Sequence, residues 1–153
     1  MRRSICLIAI LCAAQTPSFA SDAIPKFENY PAVFESAHVQ ERLKLTTAQM
    51  RRYATRLSEA RHGPVDFAGH FVMATWGCGA GCVMAAAIEK TSGVVTMLPF
   101  TVSDWPLDVT EPLSYRKDSS LLIIRGSRNE KGHGTYYYTF DGKAFRLLKA
   151  VEE

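Results

Sequence analysis

Residues 66–90 read DFAGHFVMATWGCGAGCVMAAAIEK. Two apolar runs rich in β-formers, Asp66–Trp76 and Val83–Lys90, flank a segment of little but glycine, alanine and cysteine. Such runs bounded by turn formers predict two strands joined through a tight loop. In that loop Gly-Ala-Gly separates Cys78 from Cys82. Small residues let the backbone bring two α-carbons within the roughly 4.4–6.8 Å that a disulfide needs. A structural Cys78–Cys82 bond is therefore expected, contributing about 2 kcal/mol through chain entropy. Two other readings stay open. One is a redox-active pair, although the spacing is three residues rather than the two of thioredoxin-like motifs. The other is Cu(I) handling by the thiolates, completed by Met73, Met84 or His70.

Moving outward, the period changes from extended to helical on the N-terminal side. Thr46 and Gln49 have capping-box spacing, and Leu45 and Met50 flank them as a hydrophobic staple. Met50, Tyr53, Ala54 and Leu57 then form one apolar stripe, which Gly63-Pro64 stops. A helix from about Thr47 to Arg61 follows. Its arginines, Arg51, Arg52, Arg56 and Arg61, read as a solvated basic face with Glu59 as the lone acid.

On the C-terminal side Thr91-Ser92-Gly93 turns the chain into a strand over Val94–Phe100. Pro99, Pro106 and Pro112 make Thr101–Arg116 a loop. Leu121–Arg125, Thr135–Phe140 and Lys143–Leu148 predict three further strands, the last two joined at Asp141-Gly142, a strong hairpin signal. The two hairpins share a shape that resembles a propeller blade, yet two units are too few for a propeller. The expected fold is α+β: one domain, 46–150, with an antiparallel sheet of five or six strands and the amphipathic helix on one face. An irregular arm, 21–45, with one short strand near Ala32–Glu35, precedes it.

Residues 1–20 have the layout of a secretory leader: Arg2-Arg3, an apolar Ile5–Ala14 stretch, then Ser18-Phe19-Ala20 before the cut. The apolar stretch is roughly half the length of a bilayer-spanning helix. Removal takes Cys6 and Cys12 away and lowers the formal charge of the chain from +3 to +1. A near-neutral chain lacks the basic face of a nucleic-acid binder. Export to a periplasmic or secreted location follows, without membrane insertion after signal removal.

The candidate recognition surface combines Trp76 with the polar run Arg125–Gly134, in particular Arg128, Asn129, Glu130 and His133. Loops carry function more often than the strands beneath them, and tyrosine and arginine suit protein contacts. In Tyr136-Tyr137-Tyr138 alternation sends the middle ring to the opposite face, so at least one ring is expected to meet solvent or a partner. His70 is placed in the extended run, sharing a face with Ala68, Val72, Ala74 and Trp76. Together with Asp104 it is a candidate cleft residue. His38 and His62 sit among polar residues and are expected on the surface. No nucleophile elbow, phosphate loop, dinucleotide fingerprint or metalloprotease helix occurs, and no metal or cofactor is called for.

The segments Asp66–Phe71, Trp76–Cys82, Leu98–Phe100, Glu111–Tyr115, Gly126–Glu130 and Tyr136–Tyr138 resemble a family of small exported uncharacterised bacterial proteins. The resemblance spans most of 46–148 and implies an envelope or secreted location. It carries over no catalytic residues. The reading is a noncatalytic binding or inhibitor-type module that meets a protein or envelope component. The rivals are a thiol redox or copper-handling protein using Cys78 and Cys82, and a small hydrolase using His70, Asp104 and His133.

Overall fold

A computed structural model describes residues 23–36 and 42–153. The leader reading and His38 fall outside these residues. Eight strands make one antiparallel sheet: β1 Phe71–Gly79, β2 Cys82–Glu89, β3 Val95–Met97, β4 Val102–Ser103, β5 Leu113–Arg116, β6 Ser119–Arg128, β7 Lys131–Phe140 and β8 Phe145–Glu152. Hydrogen bonding runs β1-β2-β4-β6-β7-β8, with β3 beside β2 and β5 beside β6. Among the described residues helix is confined to α1 Ala48–Arg52, α2 Ala54–Ala60 and a 3-10 turn at Phe27–Asn29.

The expected α+β fold with five or six strands and one helix is thereby corrected to a predominantly β molecule. Two strands, β4 and β5, lie inside the proline-punctuated stretch read as a loop. The prolines stand outside the paired residues, so they leave the short ladders intact. The helix differs too. Its N-cap is Thr47, whose hydroxyl accepts from the Met50 amide at 3.1 Å, rather than Thr46. It breaks at Tyr53, where the backbone leaves helical values and the ring stands 5.2 Å from Trp76. The strand expected near Ala32–Glu35 is reduced to a single bridge between Pro31 and Ser119.

Both faces of β1 and β2 are covered, which explains their continuous apolar sequence. Phe71, Met73, Ala85 and Ala87 point inward and join Phe67, Leu122, Ile124, Tyr136, Tyr138 and Phe140 in the main core. Ala74, Trp76, Met84, Ala86 and Ile88 point outward and meet Met50 and Leu57 of the helices. The sheet curls until Phe71, near one end of the path, packs edge-on against Phe140 at 4.8 Å. Lys90 fastens the helices to this scaffold: its buried ammonium donates to the carbonyls of Arg61 (2.8 Å) and Gly63.

The two-residue β4 is the joint between the halves. Cys82 pairs with Ser103, and Ser103 pairs with Ser127 on β6. Gly126 makes that joint fit, because a Cβ there would stand 2.4 Å from the Ser103 carbonyl oxygen. The N-terminal arm is stitched on by Ser119, whose hydroxyl lies 2.9 Å from both the Phe27 and Tyr30 carbonyls and accepts from the Leu121 amide.

Candidate functional site

The β1–β2 hairpin ends in a two-residue turn, Ala80-Gly81, with Gly79 opposite Cys82 and Cys78 bulged out of register. Cys78 and Cys82 are disulfide-bonded, their α-carbons 5.1 Å apart. The tip is exposed, and a Cβ on Gly79 or Gly81 would meet nothing within 4 Å. Among the described residues the tip has no neighbour at these glycines, and the bond clamps the turn from within.

The β6–β7 hairpin turns at Asn129-Glu130, with φ values of 50° and 61°. Residues with positive φ at both central positions match the twist of a two-residue hairpin. The polar run read as a loop is therefore mostly strand. Asn129 secures the turn sideways: its Oδ1 accepts from the Thr101 amide at 3.0 Å, and its amide donates to the Thr101 carbonyl. Because β4 is antiparallel to both β2 and β6, those two strands run the same way, and the two tips flank the β4 joint pointing in opposite directions along the strands.

Of the residues expected to recognise a partner, several are structural. Trp76 is 9 % exposed in the outer core, its ring N–H without a hydrogen-bond partner among the described residues. Arg128 lies with its guanidinium carbon 3.7 Å from the Tyr136 ring centroid and donates to the Tyr138 hydroxyl at 2.7 Å. The exposed Glu152 carboxylate accepts from the Tyr136 hydroxyl at 3.4 Å. All three tyrosines, 136–138, are buried, so the expectation of an exposed ring is corrected; both faces of β7 are covered. Glu130 is exposed, and His133 is partly exposed, 3.8 Å from the Glu153 carboxylate.

His70 belongs to the Ala68-Gly69-His70 turn before β1, not to the strand, and its ring stands 4.6 Å from that of Phe71. It lies at the opposite end of β1 from Cys78. Asp104 is exposed beside β4, with φ of 55° and a 3.3 Å contact to the Ser127 hydroxyl. The proposed His70–Asp104–His133 cleft is thus not assembled. Met73 and Met84 lie on opposite faces of the sheet, so neither the methionines nor His70 gather around the thiols. Among the described residues no group of three or more His, Cys, Asp or Glu is arranged to hold a metal. His62 is exposed, as expected.

One cleft was not legible in the sequence. It has a volume of about 770 Å³ and lies between the chain entering β1 and strand β5, with Phe27 at one end. A recess of about 140 Å³ continues it to Thr75 and Val83. Glu111, Leu113 and Tyr115 line both. Asp66 enters the larger space, its Oδ1 accepting from the Met73 amide at 2.8 Å. Burial pushes its carboxyl above the ordinary range, against the opposing effect of that hydrogen bond. Burial, with Asp66 and Glu111 nearby, pushes the Tyr115 hydroxyl up to about 12. A mostly apolar cleft with a few convergent polar groups suits ligand binding.

No protein-family model, curated protein or solved structure matches the chain. Geometry therefore carries the functional reading. No helix among the described residues is long and apolar enough to cross a membrane.

Proposed function

We propose that the chain is an exported, noncatalytic binding module of the bacterial envelope or extracellular space, which meets a protein or envelope component through the β4 joint and the two tight hairpin tips that flank it. One observation carries this reading: the Cys82–Ser103–Ser127 row joins the two hairpins close to their turns, so both tips flank one joint, each held by its own clamp. A surface ordered before binding loses less entropy on association. The disulfide supports an oxidising destination, and the leader-like residues 1–20 agree with it. The contact groups are the exposed Cys78–Gly81 tip together with Glu130, Lys131 and His133.

Capture from an envelope extract tests the proposal. The oxidised chain should retain a partner that a Glu130→Lys/His133→Ala variant with an unchanged melting curve loses. Equal recovery by both chains, or capture unaffected after reduction of the disulfide, would count against it.

A further inference from the structure

We propose that the cleft-side edge of β1 accepts an extended peptide as an added strand, with a basic side chain of that peptide held by Glu111 and Asp66. The inference rests on the binding-module reading and assigns it a recognition mode and a partner chemistry. β1 ends the hydrogen-bonded path, with β2 as its neighbour on one side. On its other side the amide of Phe71 donates to the Phe67 carbonyl and that of Met73 to Asp66. Alternation along an antiparallel strand directs the amides and carbonyls of Thr75 and Gly77 the same way. Among the described residues these groups meet no backbone partner there.

Unpaired edge groups of this kind are a template for a further strand. Several features keep this edge open and ordered. Thr75 and Gly77 are exposed, and Gly77 has no side chain to obstruct an approaching backbone. The bulge and disulfide at Cys78 fix the end of the edge immediately beyond it. The recess beside Thr75, lined by Val83, Leu113 and Tyr115, offers room for a side chain of the incoming strand.

Charge selects which side chain. Glu111 lines both the recess and the larger cleft, and among the described residues it has no ion-pair partner. Asp66 uses one carboxylate oxygen on Met73 and faces the same space. The cations at the far end are already engaged: Arg116 pairs with Glu28 at 3.0 Å, and Lys117 lies 4.7 Å over the Phe34 ring. A lysine or arginine reaching in from the Thr75 side meets unpaired acceptors.

The test uses the oxidised chain, isotopically labelled, and a blocked peptide alternating valine and lysine. Two control peptides replace lysine by glutamate or methylate alternate backbone nitrogens. The lysine peptide should slow amide exchange at Thr75 and Gly77, and each control should bind about tenfold more weakly. Gly77→Pro, which removes an outward amide, and Glu111→Gln should weaken binding by a similar factor while melting normally. Equal binding of the methylated peptide, or protection mapping elsewhere, overturns the proposal; so does no binding by the folded wild type. The Glu130→Lys/His133→Ala variant separates the two readings. If it still captures the partner but takes up the peptide, the tip surface fails and the edge stands. If it loses the partner and the wild type ignores the peptide, the edge fails alone.

Discussion

Two hairpin tips flank the β4 joint of this sheet and are held by different means. The β1–β2 tip is exposed, with none of the described residues within 4 Å of a Cβ placed on Gly79 or Gly81, and a covalent bond across five residues restrains it. The β6–β7 tip lies against the segment leading into β4, and Asn129 ties it there by hydrogen bonds to Thr101. The comparison teaches that an isolated turn must be stabilised from within, whereas a neighboured turn can borrow from the adjacent chain. The two clamps should differ in reach. The disulfide constrains its own turn, while Asn129 also fixes the joint through which both halves of the sheet connect.

Breaking the second clamp should have the larger effect. Asn129→Ala removes the acceptor for Thr101 and places alanine in a left-handed conformation that it resists. A loss of about 2–3 kcal/mol is expected in urea unfolding, with early exchange at β4. Replacing both cysteines by serine should cost at most about 2 kcal/mol, in line with so short a loop. A cost well above that would show that the disulfide supports more than its own tip.

Glu130→Gly sharpens the contrast in the opposite direction. Glu130 adopts φ of 61°, where glycine has no steric penalty. The variant should be more stable by about 1 kcal/mol, read as a higher urea midpoint at constant slope. That result would show the β6–β7 tip retaining strain that the glycine-built β1–β2 tip avoids.

The contrast between these regions also explains what the sequence discloses. The Cys78–Cys82 bond and the Asp141-Gly142 hairpin depend on residues a few positions apart, so their spacing announces them. β4 and β5 exist because distant partners, Ser127 and Ile123 among them, complete their ladders; their own residues carry little strand signal. A glutamate in a left-handed turn position gives no cue, so the Asn129-Glu130 turn reads as part of a loop. The half-buried seat of Arg128 against Tyr136 and Tyr138 depends on β6 and β7 pairing in one register. The cleft is harder still, since Asp66, Glu111 and Tyr115 meet only after the sheet curls.

The smallest effect concerns the cleft side of β1, away from both clamps. Burial raises the Asp66 carboxyl above its ordinary value of 3.8, so the folded chain binds that proton more tightly than the unfolded chain. Stability from this group is present at low pH and declines as pH rises through and above about 4. Asp66→Asn keeps an acceptor for Met73 and removes the titration. Its unfolding free energy should therefore fall less than that of the wild type between about pH 4 and 7. An identical slope in the two chains would contradict the burial assigned to Asp66.

The most direct test of two separately clamped tips is native-state amide exchange before and after selective reduction of Cys78–Cys82. Reduction should release protection across Gly79–Cys82 and leave the Asn129–Lys131 turn and the β4 joint as slow as before. Simultaneous loss of protection at both tips, or no change at the first, would contradict the account.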